Sequence, residues 1–194
     1  MNPIKIVLIT IAVFSCSLQV LAGGTVHGSI QSTSPKKLLN AVIYIDQIST
    51  PVAPSAKHEV MDQKNLLFIP HVLPIIKGTT VDFLNSDNVR HNVFSPSKEQ
   101  YNLGTWPTGE VKSRTFDKEG VYVQLCNVHA EMEAYIVVLQ NPYFCLTKKD
   151  GLFKIGKVPA GTYVLKAWQE KLKKVMEQTI TVVDGQEIVA NFTF

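Results

Sequence analysis

The apolar residues of this chain recur in short runs separated by turn residues, and no stretch after residue 22 sustains a 3.6-residue apolar period. Glycine, proline and asparagine stand at the ends of many of these runs. Short apolar runs at this spacing predict strands, and many of them in one chain predict β-sandwiches or barrels. The runs are 41–45, 66–69, 79–84, 121–125, 134–139, 152–155, 162–168, 179–183 and 188–194. The pattern therefore predicts an all-β fold.

The first 22 residues differ from the rest of the chain. Lys5 supplies a positive charge, residues 6–13 are almost wholly apolar, and Ala22 is a small residue followed by two glycines. This pattern predicts a cleaved signal peptide over residues 1–22, a periplasmic protein, and no stable membrane span after cleavage. Two alternatives stay open: an uncleaved anchor, and a lipoprotein anchored at Cys16, where residues 13–16 loosely resemble a lipobox.

Composition and charge narrow the classes of function. The 194 residues are 45% hydrophobic and 18% charged, which is typical of a folded protein and not of a disordered one. The formal net charge of +3 leaves no basic stripe, so we expect no nucleic acid partner. Cleavage after residue 22 would leave two cysteines, Cys126 and Cys145. A disulfide between them stays an alternative to any other role, because exported proteins fold in an oxidising compartment.

One group of side chains offers distinctive chemistry. Cys126, His129 and Met132 follow an apolar run in a Cys-x2-His-x2-Met pattern, and His91 follows the end of another predicted strand. A thiolate, two imidazoles and a weak thioether suit copper that cycles between Cu(II) and Cu(I). The pattern predicts one copper ion at this site. Zinc is the alternative metal, because the two histidines and the cysteine could hold it without Met132. Thiolate and imidazole must lose protons to bind, so we expect metal loss on acidification.

This constellation resembles the cupredoxins, the small blue copper proteins. Its loop spacing is similar to that of the amicyanins, whereas plastocyanins have more residues between the second histidine and the methionine. The segments 68–70 and 75–87 resemble the family's approach to its first copper histidine. The segment 115–122 resembles the approach to its copper cysteine. The resemblance spans residues 57–140 and implies a Greek-key β-sandwich that holds one type 1 copper ion.

The resemblance also assigns roles to individual residues. It implies that His91, Cys126 and His129 are strong ligands and that Met132 is the weak axial one. It further implies that the backbone of Asn92 donates a hydrogen bond to the thiolate. Two positions depart from the family pattern: Ala134 stands where glycine is common, and Glu131 places a carboxylate inside the loop.

The two ends of the chain indicate a second domain. Residues 141–194 resemble the carboxypeptidase regulatory-like domain, a small prealbumin-type β-sandwich, but they lack its opening strands. Segments that resemble those strands occur at 24–30 and 39–45. We therefore predict that residues 23–50 and 141–194 fold together, that 51–56 is a linker, and that the cupredoxin domain, 57–140, is inserted. Separately packed extensions are the alternative.

The predicted function is one-electron transfer with a redox protein, either a cytochrome c or a dehydrogenase, through a small apolar surface at His129. The two-part layout resembles methylamine-utilisation-type proteins. We do not expect an enzyme, because the three remaining histidines, His27, His58 and His71, cannot build the trinuclear cluster of an oxidase. Two alternatives remain: copper storage or delivery without a redox partner, and a structural or adhesive β-sandwich module.

Overall fold

The computed structural model describes residues 23–35, 38–49, 52–54, 56–97 and 99–194. The predicted signal peptide, 1–22, and parts of the predicted linker, 51–56, lie outside the described residues. The described residues form β-strands without an α-helix among them, so the prediction of an all-β fold is confirmed. In this part of the chain no helix is long and apolar enough to cross a membrane.

The strands form four sheets that pack as two sandwiches. In chain order they are β1 (Gly24–Gln31), β2 (Val42–Ile45), β3 (Glu59–Lys64), β4 (Leu67–Ile69), β5 (Val72–Ile76), β6 (Thr79–Asn85), β7 (His91–Ser95), β8 (Tyr101–Trp106), β9 (Val111–Phe116), β10 (Gly120–Leu125), β11 (Glu133–Leu139), β12 (Phe144–Leu146), β13 (Leu152–Val158), β14 (Gly161–Trp168), β15 (Met176–Val182), β16 (Glu187–Val189) and β17 (Phe192–Thr193). The middle of the chain forms one sandwich and its two ends form the other.

The middle sandwich, β3 to β11, consists of one sheet in the order β5-β11-β10-β7-β8 and one in the order β4-β3-β6-β9. Strand β6 shows why the chain folds this way. Its side chains alternate between buried and partly exposed at every position, which is the period of a strand with one face on the core. The core between the sheets is aromatic, and Phe116 meets Tyr122 edge to face at 5.2 Å between ring centroids. This core supports the strands that carry the candidate ligands.

The terminal sandwich contains β1, β2 and β12 to β17. Strand β1 is central in its sheet, between β13 and β16, and also pairs with β17. Strand β2 lies between β12 and β14 in the other sheet. Residues from both ends of the chain therefore share one core, in which Val26 and Ile43 pack in the same cluster as Phe153 and Leu165.

A separate apolar cluster joins the two sandwiches. Its buried members are Val42 of the terminal sandwich and Val72, Val137 and Leu139 of the middle one. Gln140 adds polar contacts beside it: its Nε2 donates to the Ile48 carbonyl at 2.9 Å, and its Oε1 accepts from the Ile48 N–H at 3.2 Å. Because this contact is apolar at its centre and hydrogen-bonded at its edge, it holds the sandwiches against each other.

Candidate metal centre

Strand ends of the middle sandwich bring the candidate ligands together. His91 is the first residue of β7 and is fully buried, and Cys126 directly follows β10 and is 4% exposed. Residues 126–132 connect β10 to β11, which pair antiparallel from one end to the other. His129 lies on this connection, half-buried. The loop is therefore anchored at both ends by one strand pair, and it faces the start of β7.

Three donor atoms converge at this point. His129 Nδ1 lies 3.1 Å from His91 Nδ1, and Cys126 Sγ lies 4.0 Å from the same His91 nitrogen. All three donor atoms lie within 4.8 Å of one another. Nitrogen and sulfur ligands bind a metal ion at about 2.0 to 2.3 Å, so two of them on one ion are about 3 to 4 Å apart. The donors fit one ion that accepts thiolate and imidazole together.

Asp87 selects the nitrogen that His91 offers. Its Oδ2 lies 2.8 Å from His91 Nε2, so the ring N–H at that position donates to the carboxylate. The lone pair of Nδ1 is then free and faces Cys126 and His129. A carboxylate behind a histidine ligand orients the ring and raises its basicity. Asp87 stands four residues before His91 in a polar turn, and no sequence motif points to its role.

A tight turn holds Asp87 in place. Asn65 and Leu66 join β3 to β4 with φ of 55° and 59°, and their N–H groups donate to the Asp87 carboxylate at 2.6 and 3.0 Å. Burial pushes the pKa of Asp87 upward. The hydrogen bonds from Leu66, His91 and Asn65 outweigh it and hold the pKa of this carboxyl below its ordinary value. Asp87 is therefore a charged acceptor behind His91.

Asn92 connects the cysteine to its surroundings. Its backbone N–H donates to Cys126 Sγ at 3.4 Å, which is the contact that the sequence resemblance implies. Its side chain accepts from the Asn127 N–H at 3.4 Å and donates to Asn102 Oδ1 at 2.8 Å and to the Gly104 carbonyl at 2.7 Å. Because Asn92 is 1% exposed, these bonds are shielded from water and hold the ligand loop against β7 and β8.

The remaining loop residues divide into buried and exposed ones. Met132 is fully buried in the same apolar cluster as Cys126, and its N–H donates to the His129 carbonyl at 3.1 Å. Ala134 is buried as well, whereas Glu131 is exposed. Three apolar side chains close to the ligands in sequence, or bonded to Asp87, are exposed: Val128 is 48% exposed, Val89 46% and Leu66 38%. The structure thus places the predicted thioether in the interior and leaves these apolar side chains exposed.

The other histidines and the second cysteine lie outside this group of three donors. His27, His58 and His71 contact the carboxylates of Glu187, Asp82 and Glu170 at 3.7, 3.0 and 2.7 Å. Cys126 and Cys145 are both free thiols, one in each sandwich. Burial raises the pKa of Cys145 to about 11, so this thiol is poorly suited to supply a thiolate ligand.

Comparisons with known proteins give partial similarities. A family model described as polysaccharide lyase family 4, domain II, matches residues 129–190, which is less than half of the chain. No curated protein matches significantly. A solved copper-containing nitrite reductase from Thermus scotoductus SA-01 is 30% identical over 48% of this chain, with a TM-score of 0.42. This chain spans 26% of the length of that reductase.

Two smaller solved proteins are similar to part of the chain. A reduced amicyanin variant is 22% identical over 50% of this chain and 97% of its own, with a TM-score of 0.41. A purple cupredoxin from Nitrosopumilus maritimus is 26% identical over 41% of this chain and 98% of its own, with a TM-score of 0.38. None of these names a carboxypeptidase regulatory-like domain, so that part of the resemblance stays a prediction.

Replacing Asp87 with Ala is expected to weaken copper binding by about 10- to 100-fold, since His91 then loses the acceptor that orients its ring. Competition with a chelator of known affinity measures the change. Asp82→Ala is the matched control, because this carboxylate of the same sandwich contacts His58 and Ser113 and no candidate ligand. Equal copper affinities for the two variants would contradict the role of Asp87.

Proposed function

We propose that the protein is a periplasmic type 1 copper protein that carries single electrons between redox partners and is not itself an enzyme. The observation that carries the proposal is the convergence of three donor atoms: His129 Nδ1 lies 3.1 Å and Cys126 Sγ 4.0 Å from His91 Nδ1. Bound copper would supply a one-electron couple between Cu(II) and Cu(I). Met132 completes the proposed ligand set as the weak axial donor.

In this function the protein holds the donor atoms in fixed positions and shields them from water. His91 begins β7 and Cys126 directly follows β10, and these two strands pair at Phe94 and Leu125. The hydrogen bond from Asn92 holds the sulfur, and Asp87 holds the imidazole of His91. A donor set fixed by so many contacts cannot relax far when the charge at its centre changes by one. Little reorganisation is then needed for electron transfer.

The surface around His129 suits a transient partner. His129 is half-buried. Val128 directly precedes it, and Val89 stands two residues before His91. Leu66 donates its N–H to Asp87, and the side chains of all three apolar residues are exposed. Encounters between redox proteins use small interfaces, below about 1,200 Å² in total. We propose that a redox protein, a cytochrome c or a dehydrogenase, docks here and exchanges the electron through the His129 edge.

The division of the chain is also part of the proposal. Residues 1–22 act as the signal peptide, 23–50 and 141–194 form the regulatory-like sandwich, 51–56 link the two parts, and 57–140 form the inserted copper domain. Support comes from the pairing of β1 with β13 and of β2 with β14, which joins both ends of the chain in one sandwich. Insertion between paired strands is tolerated when the ends of the insert lie close together.

Reversible reduction tests the carrier role. We expect the copper-loaded protein to give a reversible one-electron wave in protein-film voltammetry and to keep its copper when a Cu(I)-binding acceptor is added. Storage or delivery predicts the opposite, namely ready transfer to the acceptor. The described methionines favour the carrier, since Met61 and Met132 are fully buried and Met176 is partly buried. An irreversible wave together with rapid copper transfer would overturn the carrier proposal.

A further inference from the structure

One side chain bonds both sandwiches beside the metal centre. His71 lies between β4 and β5, and its Nδ1 lies 3.1 Å from the carbonyl oxygen of Glu133. Its Nε2 lies 2.7 Å from Glu170 Oε2, which belongs to the terminal sandwich just after β14. The two ring nitrogens of His71 thus each face an oxygen atom, one in each sandwich. We call this contact, Glu170–His71–Glu133, the bridge.

The bridge reaches the end of the ligand loop. Glu133 is the first residue of β11 and directly follows Met132. Its partner in the strand pair is Leu125, which directly precedes Cys126. The Cys126 end of the loop is held by β10 and by Asn92, whereas the Met132 end depends on where β11 begins. The backbone of His71 supports the same point, because its carbonyl accepts from the Tyr135 N–H at 2.9 Å.

The terminal sandwich holds Glu170 in a defined position. Trp168 packs in the apolar cluster between the sandwiches, and its ring centroid lies 5.4 Å from that of Tyr135. The Tyr135 ring in turn meets the His71 ring at 5.7 Å. Glu170 itself keeps only 17% of its side chain exposed, and Lys171 Nζ lies 3.5 Å from its second oxygen. Glu170 is thus a packed and paired carboxylate.

We infer that the terminal sandwich positions the weak sulfur donor of the metal centre, with Glu170 acting through His71 on Glu133 and so on Met132. This inference rests on the proposed copper function. The axial ligand tunes the reduction potential of a copper site with two histidines and one cysteine. A change at Glu170 therefore alters the axial donor while His91, Cys126 and His129 keep their places. Glu170 and His71 are positioning residues in this account.

The test compares Glu170→Ala with Glu177→Ala. Glu177 is the matched control, because it belongs to the same sandwich, is exposed, and contacts only Lys166 among the described ion pairs. In copper-free protein, we expect Glu170→Ala to shift the methyl resonance of Met132 and Glu177→Ala to leave it in place. In copper-loaded protein, we expect Glu170→Ala to shift the reduction potential and the ratio of the visible bands without changing the copper stoichiometry.

Two further variants separate positioning from general loss of structure. Glu170→Gln keeps an oxygen acceptor for His71, so its Met132 methyl resonance should lie close to the wild-type position. His71→Ala should reproduce the effect of Glu170→Ala, and the double variant should show no further shift, since both residues belong to one chain of contacts. Additive shifts from the two single variants would overturn the inference.

The outcome also separates this inference from the proposed function. A wild-type protein that shows the copper spectrum, with Glu170→Ala unchanged in potential, bands and Met132 resonance, contradicts the bridge and leaves the copper function standing. A wild-type protein without thiolate-bound copper contradicts the proposed function. In that case the position of the Met132 methyl resonance in the copper-free variants still tests the bridge. A resonance that stays at the wild-type position in Glu170→Ala would overturn the inference.

Discussion

Replacing Cys126 with Ser is expected to abolish the intense visible absorption of the copper-loaded protein and to lower its copper affinity sharply. The absorption arises from charge transfer between a thiolate and Cu(II), and a hydroxyl cannot replace the soft, charged sulfur. Titration with one equivalent of Cu(II), followed by absorption and by equilibrium dialysis, measures both effects. The metal-free variant should fold as the wild type does, because serine is close to cysteine in size.

The second cysteine provides the control for this prediction. Cys145→Ser changes a free thiol of the terminal sandwich and should leave the copper spectrum unaltered. A wild type without the spectrum, with the band appearing only in Cys145→Ser, would favour the disulfide alternative, because a cysteine in a disulfide cannot bind copper as a thiolate. A structural or adhesive role would survive the loss of copper, so Cys126→Ser also tests that alternative.

Replacing Gly28 with Ala is expected to destabilise the terminal sandwich by about 3 kcal/mol, at the upper end of typical overpacking effects. A Cβ at this position would lie 1.6 Å from the carbonyl oxygen of Ala190, which lies between β16 and β17, the two strands that pair with β1. The backbone of Ala190 cannot move away from β1 freely, because its N–H donates a hydrogen bond to the His27 carbonyl at 2.9 Å. Urea denaturation followed by circular dichroism measures the change in the free energy of unfolding.

Gly156→Ala is the matched control for Gly28. It lies on β13 of the same sandwich, and a Cβ there meets nothing within 4 Å. We expect its midpoint of unfolding to stay close to that of the wild type, and we expect both variants to keep the copper spectrum. A Gly28→Ala protein as stable as Gly156→Ala would mean that the C-terminal strands do not pair with β1 as described.

The fold could be predicted from the sequence wherever strands bury one face. Residues 79–84 and 134–139 appear as apolar runs, and they fall within β6 and β11. Strands β8 and β9 escaped prediction because each lies at a sheet edge and buries one side chain only, Trp106 in β8 and Phe116 in β9. Neither sequence therefore shows an apolar run.

Some residues of the candidate site could be predicted from the sequence and others could not. Cys126, His129 and Met132 could be identified because their spacing along one loop is itself the pattern. Asp87 and the bridge through His71 could not, because their roles depend on contacts between strands that are distant in sequence. Asp87 meets Asn65 across 22 positions, and Glu170 meets His71 across 99 positions. The sequence contains these residues without showing which ones meet.

The electron paramagnetic resonance and visible spectra of the wild-type protein with one equivalent of Cu(II) test the central claim most directly. The account predicts an intense thiolate-to-copper band and the narrow copper hyperfine splitting of a site with strong thiolate bonding, at a stoichiometry of one ion per chain. A colourless protein, or one whose Cu(II) signal is that of ordinary nitrogen and oxygen coordination, would contradict the assignment of His91, Cys126 and His129 as the copper ligands.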